Sequence, residues 1–187
     1  MNEKLFNSKH KSKLDNPKRV AMLEPVETLS KFELKNGDVS ADVGCGTGIF
    51  TFPMAKVTSS KVYAIDLSSE MLTSVKEKIT NEDIELVQSS LEGLVIDDES
   101  VDFTLLSMVL HEVDHLNDFT KELARITKPG GKLAIIEWIY KETKMGPKLD
   151  HRLSVNQIME ATNDSFILKN EFKISDAFVG ILLERNN

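Results

Sequence analysis

The feature that most constrains the fold of this chain is the glycine-rich segment ADVGCGTG at positions 41–48. It follows an apolar run and precedes a helix-like stretch, as a tight turn from a strand into a helix would. Glycine adopts backbone angles that other residues avoid, and it leaves room for a ligand close to the main chain. The segment therefore predicts an α/β fold that binds a ligand where its first strand ends.

The spacing of these glycines distinguishes two classes of ligand. A dinucleotide fingerprint reads G-x-G-x-x-G, but the residue three positions after Gly46 is Ile49. The observed G-x-G-x-G pattern suits a ligand without a pyrophosphate, whose amino-acid portion lies along the turn. Asp42 adds a negative charge that disfavours a phosphate and favours an ammonium. Asp66, after the second predicted strand, is placed to accept hydrogen bonds from a ribose. Because an NAD ribose would use the same carboxylate, a nicotinamide oxidoreductase is an alternative.

Apolar runs alternate with helix-like segments from residue 38 onward. The predicted strands are Val39–Val43, Lys61–Ile65, Ile84–Val87, Phe103–Leu106 and Lys132–Trp138. The predicted helices are Phe50–Val57, Ser69–Ile79 and Asn117–Thr127, and a turn is predicted at Pro129–Gly131. This alternation predicts a parallel sheet with helices on both faces.

The end of the chain departs from the alternation. After a predicted helix at Ser154–Ala161, the β-like runs Phe166–Phe172 and Ala177–Leu183 are joined by a link too short for a parallel crossover. We therefore predict a Rossmann-like, seven-stranded, mainly parallel sheet that ends in an antiparallel hairpin. One domain should span residues 1–187. Residues 1–37 would form an N-terminal cap segment with an amphipathic helix at Val20–Lys31, and residues 38–187 would form the core.

Charge and composition narrow the classes of function. The net charge is −7, and residues 1–19 carry +4, which leaves −11 on the rest of the chain. So acidic a surface disfavours nucleic-acid binding. No apolar run is long enough to span a membrane, the start lacks the apolar core of a secretory signal, and the single cysteine excludes an internal disulfide. We expect a cytoplasmic protein with a small-molecule partner, and self-association is left open.

Taken together, the motifs resemble class I S-adenosylmethionine-dependent methyltransferases, in particular the small type 11 group. The segments that carry the resemblance are LDNPKR, DVGCGTG, VYAIDLSSEML, VDFTLLSMVLHEV, KPGGKLAIIEW and MGPKLDHRLS. The resemblance covers nearly the whole chain. It implies that S-adenosylmethionine is the cofactor and that its methyl group passes to a small molecule by in-line displacement.

The resemblance also implies which residues bind the cofactor. The methionine part would be bordered by Asp42, Gly44, Cys45, Gly46, Gly48 and Ser107, and the ribose and adenine by Asp66, Leu67, Met71, Ser90 and Leu91. Many members of the family have an Asp-Ala pair where this chain has Ser90-Leu91. The acidic contact to the adenine amino group is therefore missing at Ser90, and Glu92 is the candidate substitute.

The methyl acceptor should bind where the fourth and fifth strands end, because ligands of open α/β sheets bind at that edge. His111 is the candidate general base, since its ordinary pKa of about 6.5 suits neutral pH. Glu137 is the second candidate catalytic residue, because it interrupts an apolar strand and a buried carboxylate is costly unless it is paired or used. Trp138, His151 and Arg152 are candidate substrate-binding residues. The alternative is an ion pair of Glu137 with His151 or Arg152 that only fastens the segment before them.

The segment HEVDH, at 111–115, also fits the H-E-x-x-H pattern of zinc peptidases. That chemistry requires the five residues to lie in one helix, together with a third ligand. A helix start signal at Asn117–Asp118 places the segment in a loop instead, so we expect no metal. A non-catalytic protein that binds S-adenosylmethionine is the remaining alternative, because the sequence does not show an open acceptor pocket.

Overall fold

Seven strands form one sheet in the order β3-β2-β1-β4-β5-β7-β6. The strands are β1 Ser40–Val43, β2 Val62–Asp66, β3 Ile84–Gln88, β4 Val101–Ser107, β5 Thr127–Trp138, β6 Phe166–Lys173 and β7 Phe178–Arg185. The first five pair in parallel, and β7 pairs antiparallel with both β5 and β6. The predicted fold class is therefore confirmed. The structure is a computed structural model that describes residues 15–91, 93–143 and 145–187.

Helices cover both faces of the sheet. They are α1 Pro17–Leu23, α2 Pro25–Lys31, α3 Thr51–Thr58, α4 Ser69–Lys76, α5 Leu116–Ile126 and α6 Val155–Thr162. Strand β5 shows how the sheet supports two cores. Its side chains alternate between faces, so Leu133 and Ile135 pack with residues of α5 and α6, whereas Ala134 and Ile136 pack with residues of α1 to α3.

The predicted helix at Val20–Lys31 is wrong as a single element. Two short helices, α1 and α2, meet at Glu24, whose φ of 41° lies in the left-handed region. Proline lacks a backbone N–H and its ring clashes with the preceding turn, so Pro25 can begin a helix but cannot continue one. Asn16 starts α1 by accepting a hydrogen bond from the amide of Lys18 at 2.9 Å.

The turn predicted at Pro129–Gly131 lies inside strand β5 instead. Pairing with β4 passes from Val101 opposite Thr127 to Phe103 opposite Lys132, so the residues between them form a bulge rather than a separate connection. The strand therefore starts directly where α5 ends. Within the described part of the chain, no helix is long and apolar enough to cross a membrane.

Candidate active site

A cavity of about 1030 Å³ opens where β1, β2 and β4 end. The predicted cofactor residues that line it are Asp42, Gly44, Cys45, Gly46, Asp66, Leu67, Met71, Leu91 and Ser107. Gly48 and Ser90 are not among the lining residues, and Ser89 lines the cavity beside Leu91. Glu92, the candidate substitute for the missing acid, lies outside the described residues. The topology thus brings most of the predicted cofactor residues to one cavity.

All three glycines of the turn have positive φ angles, 72° at Gly44, 55° at Gly46 and 86° at Gly48. A Cβ at Gly44 would lie 2.5 Å from Cγ2 of Val109, and one at Gly48 would lie 2.8 Å from the ring of Phe52. Packing inside the protein therefore requires glycine at these two positions. The sequence interpretation attributed them to a sharp turn and to the approach of a ligand; Gly44 lines the cavity and Gly48 does not.

The amide of Gly46 ties the turn to the end of β2. It donates to Oδ2 of Asp66 at 2.9 Å, and the amide of Ser68 donates to Oδ1 at 2.8 Å. Burial raises the pKa of Asp66 from its ordinary value, while these two hydrogen bonds oppose that shift. Each carboxylate oxygen has more than one lone pair, so both can still accept a hydrogen bond from a hydroxyl in the cavity.

Asp42 is a second carboxylate of the cavity and is only 2% exposed. The hydroxyl of Thr51 donates to its Oδ2 at 2.6 Å. Burial raises the pKa of Asp42 to about 7, the negative charge of Asp66 adds to the shift, and the bond from Thr51 opposes it. A cation beside these two carboxylates would stabilise their charged forms. The two carboxylates are therefore suited to a ligand that carries a positive charge and unsuited to a pyrophosphate.

The segment that leads into α1 covers the glycine turn. The hydroxyl of Thr47 donates to the carboxylate of Asp15, and Lys78 donates to the carbonyl of Thr47 at 2.9 Å. The cavity residues that come from this part of the chain are Asn16, Lys18, Arg19 and Leu23. The sequence analysis predicted a cap segment here but named neither Asp15 nor Arg19 as a site residue. Residues 1–14 of the predicted cap segment lie outside the described residues.

His111 and Glu137 form a pair at the other side of the predicted site. His111 lies in a single 3₁₀ turn, Leu110–Glu112, that follows β4, and Glu137 lies near the end of β5. Nδ1 of His111 is 2.9 Å from Oε2 and 3.1 Å from Oε1 of Glu137. The amide of Trp138 also donates to Oε2, at 3.2 Å. The carboxylate is 1% exposed, so these contacts replace the water that it lost.

The charge of Glu137 also changes the acidity of His111. Burial by itself lowers the pKa of the imidazole, but the hydrogen bond and charge of Glu137, with the charge of Glu112, raise it above the ordinary value. His111 lines the cavity. In the neutral ring, a hydrogen bond from Nδ1–H to the Glu137 carboxylate leaves the lone pair on Nε2, which lies 3.9 Å from Oε1 of Glu112.

Arg152 does not pair with Glu137. Arg152 is 4% exposed, and its guanidinium lies 5.3 Å from the ring centroid of Trp138 and donates to the hydroxyl of Thr143 at 2.6 Å. It also donates to the carbonyls of Pro147, Ile139, Lys141 and Met145. Arg152 therefore fastens the segment that follows β5 through backbone carbonyls and not through an ion pair.

Of the predicted substrate-binding residues, only Trp138 lines the cavity. Arg152 is not among the lining residues, and His151 is exposed in the turn Leu149–His151. Among the described residues, the ion pair of Glu137 is with His111. The predicted alternative, an ion pair of Glu137 with His151 or Arg152, is therefore wrong. The parallel pairing of β4 with β5 brings His111 to Glu137 instead.

The HEVDH segment does not form the helix that a zinc peptidase needs. His111 and Glu112 lie in the 3₁₀ turn, Val113 is extended, and α5 begins only at Leu116. Across residues 15–91, 93–143 and 145–187, no group of three or more His, Cys, Asp and Glu side chains could hold a metal ion.

Comparison with known proteins shows similarity in both sequence and fold. Residues 41–135, about half of the chain, match the family described as a methyltransferase domain. The structure of an S-adenosylmethionine-dependent methyltransferase from Aquifex aeolicus has a TM-score of 0.90 and 28% identity, and the match covers 96% of this chain and 99% of that one. A candidate type 11 methyltransferase from Sulfolobus solfataricus has a TM-score of 0.73 and 30% identity, covering 84% and 89%.

Curated relatives show the same family by sequence. A demethylmenaquinone methyltransferase from Bacillus mycoides is 31% identical over 116 residues, which are 59% of this chain and 49% of that protein. The chain thus spans about half the length of the curated relatives that it matches. The sheet order, the glycine turn and these similarities agree. The chain belongs to the methyltransferase-domain family, as a class I S-adenosylmethionine-dependent methyltransferase of the type 11 group.

Proposed function

We propose that this chain methylates a small ring compound with an acidic hydroxyl, and that His111 accepts the proton that the acceptor loses. The observation that carries the proposal is the buried Glu137 bonded to His111, whose side chain lines the same cavity as Asp42 and Asp66. A histidine fixed in this way has one tautomer and one orientation. That arrangement is typical of a residue that handles a proton.

When bound, S-adenosylmethionine supplies a methyl group that its sulfonium already activates. The residues of this chain that would hold the cofactor are Asp66 at the ribose and Asp42 near the positively charged methionine end. Catalysis then depends mainly on alignment of the acceptor, which can contribute about 7–11 kcal/mol. Around the cavity, apolar side chains such as Leu23, Phe50 and Trp138 exclude water.

The proton balance follows from the His111–Glu137 pair. The hydroxyl proton of the acceptor moves to Nε2 of His111, and the acceptor becomes the nucleophile through its oxygen or a conjugated ring carbon. When the ring carbon attacks, the proton on that carbon is lost to water after methylation, which restores the aromatic ring. The imidazolium that forms is stabilised by the charge of Glu137. The raised pKa makes His111 a stronger base than an isolated histidine. Exchange with water after product release restores the neutral ring.

The acceptor class is inferred from the cavity and from the relatives. Trp138, Met108 and Phe119 line the cavity and provide flat or flexible apolar surface. By its name, the relative from Bacillus mycoides acts on demethylmenaquinone, whose reduced form carries a ring hydroxyl. Both observations favour a hydroxylated aromatic ring over a protein or RNA.

A methyl-transfer screen tests the proposal. Naphthoquinols, catechols and thiols would be offered with S-adenosylmethionine, and release of S-adenosylhomocysteine would be measured. We expect turnover with at least one hydroxylated ring and its loss in His111→Ala. A thiol as the preferred acceptor would contradict the proposed class. Tight cofactor binding without turnover on any acceptor would favour the non-catalytic alternative.

A further inference from the structure

Trp138 forms part of the cavity wall at the end of β5. It lines the cavity together with three residues of the segment that follows β5, Met145, Gly146 and Pro147. The amide of Trp138 donates to Oε2 of Glu137, the carboxylate that bonds the proposed base. This wall therefore lies on the acceptor side of the cavity.

Gly146 packs directly on the indole of Trp138. A Cβ at Gly146 would lie 2.7 Å from Cε3 and 2.8 Å from Cδ2 of that ring, closer than real Cβ atoms approach. The φ of Gly146 is 87°, in the left-handed region that favours glycine. Phe178, at the start of β7, contacts the same indole with 4.6 Å between ring centroids. The indole is thus in contact with both β7 and the segment that follows β5, which limits its movement.

Arg152 fastens this segment without lining the cavity. Its guanidinium donates to the carbonyls of Met145 and Pro147, which flank Gly146, at 2.8 Å and 3.0 Å. It also donates to the carbonyl of Ile139, directly after β5, at 3.0 Å. One buried cation therefore bonds to the backbone on both sides of the contact between the segment and the indole.

A guanidinium suits this role because it donates several hydrogen bonds in fixed directions from one rigid plane. Its Cζ is also 5.3 Å from the ring centroid of Trp138, within the range of a cation–π interaction. Like burial, the positive charge of Arg152 lowers the pKa of His111, whereas Glu137 and Glu112 raise that pKa. The guanidinium therefore acts on both the wall and the proposed base from a position behind them.

We propose that Arg152 is a positioning residue of the acceptor site, which holds Met145–Pro147 against Trp138 so that an aromatic acceptor meets a fixed wall. This inference rests on the proposed function, because it concerns the acceptor of the same site. Arg152 itself does not touch the acceptor. Loss of its bonds frees the wall, so the acceptor loses contact area, while the cofactor residues at the ends of β1 and β2 stay in place.

Binding of 1-naphthol, a flat ring compound with an acidic hydroxyl, tests the inference without turnover. The probe is titrated by calorimetry into the full chain saturated with S-adenosylhomocysteine. Arg152→Gln should bind it about tenfold more weakly, since burial of one apolar side chain contributes on that order. Arg152→Lys keeps the charge but lacks the planar fork, so its loss should be intermediate. Gly146→Ala should also weaken binding, because its Cβ displaces the indole.

The emission of Trp138 reports on the wall itself, because the chain contains one tryptophan. Arg152→Gln and Gly146→Ala should each shift that emission to longer wavelength, as more water reaches the indole. The shift should accompany the weaker binding of 1-naphthol in both variants.

Arg185→Gln is the matched control. Arg185 also donates to a backbone carbonyl, that of Thr127, but at the opposite end of β5. The control should keep the affinity for 1-naphthol and the emission of Trp138. All variants should keep the affinity for S-adenosylhomocysteine.

Unchanged affinity for 1-naphthol in Arg152→Gln would overturn the inference even if its melting temperature falls, because Arg152 would then serve stability alone. If Arg152→Gln does not fold, an unchanged affinity in Arg152→Lys would overturn the inference in the same way. Absence of 1-naphthol binding by the wild-type chain would overturn it too. Failure of the proposed function would appear separately, as 1-naphthol binding without methyl transfer to any acceptor of the screen.

Discussion

Nδ1 of His111 lies 2.9 Å from Oε2 of Glu137, although 26 residues separate the two in the chain. The contact fixes the imidazole and leaves Nε2 as the nitrogen that can accept a proton. His111→Ala should therefore lower turnover by about 10²–10⁴-fold, the usual contribution of general acid–base catalysis, with little change in cofactor affinity. Steady-state kinetics with an identified acceptor checks the first effect and calorimetry the second. Full turnover in His111→Ala would show that the pair is only structural.

Glu137→Gln gives a sharper test through pH. The charge of Glu137 raises the pKa of His111, so the wild-type rate should increase as pH rises through a value above the ordinary 6.5. Without that charge the pKa of His111 falls, and the ascending limb of kcat/KM should move to lower pH. Glu171→Gln, on the exposed strand β6, is the control and should leave the profile unchanged. An unmoved limb in Glu137→Gln would contradict the electrostatic role.

Asp42 should make both stability and cofactor binding depend on pH. Its pKa rises from 3.8 to about 7 on folding, so the folded state holds a proton that the unfolded state releases. Stability should therefore fall as pH rises from about 4 to about 7, by on the order of a few kcal/mol. Asp42→Asn stays neutral and should lose this fall while retaining a bond from Thr51. Denaturant unfolding at several pH values measures the effect, and identical pH curves for the two proteins would refute it.

Asp42 should bind the cofactor more tightly when its carboxylate is ionised than when it is protonated. Affinity for S-adenosylmethionine should increase as pH rises through about 7, because the cation of the ligand stabilises the charged Asp42. Asp42→Asn should bind more weakly at pH 8 and show a flatter pH dependence. Calorimetry at pH 6 and pH 8 distinguishes the variants.

Asp66→Ala should weaken cofactor binding by roughly 1.5–3 kcal/mol, the scale of hydrogen bonds to a charged group. In a thermal-shift assay of the wild-type chain, S-adenosylhomocysteine should raise the melting temperature and NAD should not. Asp66→Asn removes the charge of the side chain but retains an oxygen that can accept from the amide of Gly46, so it preserves the turn. Asp176→Ala, an exposed carboxylate paired with Lys173, serves as the control. Unchanged affinity in Asp66→Ala would remove the ribose role.

Gly44→Ala should destabilise the fold through packing. The new Cβ meets Val109 at 2.5 Å and the φ of 72° is unfavourable for alanine, so we expect a loss of about 1–3 kcal/mol. Gly130→Ala has a similar φ of 75° but nothing within 4 Å of its Cβ, so it isolates the backbone strain. Val109→Ala should recover part of the loss in the double variant. Equal losses at Gly44 and Gly130 would show that the contact with Val109 costs nothing.

Metal content tests the remaining alternative, a zinc hydrolase. Because HEVDH does not form one α-helix, purified protein should hold well under one zinc per chain, and chelators should leave S-adenosylhomocysteine binding intact. Elemental analysis and titration after chelation measure the two quantities. A tightly held stoichiometric zinc would revive the peptidase hypothesis.

Local patterns in the sequence were sufficient for the architecture. The G-x-G-x-G spacing with Ile49 after it, the alternation of apolar runs and the short link before β7 each depend on neighbouring residues. Such signals describe one element or one turn at a time, and a parallel sheet follows from their order. They misled where proline and glycine occur in two kinds of structure. Pro25 begins a second helix instead of lying within one, and Pro129–Gly131 forms a bulge in β5 instead of a turn between elements.

The partners of charged side chains were decided only by the tertiary structure. Sequence reasoning recognised that a buried Glu137 needs a partner, but strand register selected His111 and left Arg152 to the backbone carbonyls around it. Asp15 reaches the glycine turn and Arg19 reaches the cavity because α1 and the residue before its cap pack near the end of β1, which no local pattern encodes. Hydrogen bonds and ion pairs act over a few ångströms, so they depend on distances that folding sets between residues far apart in the chain.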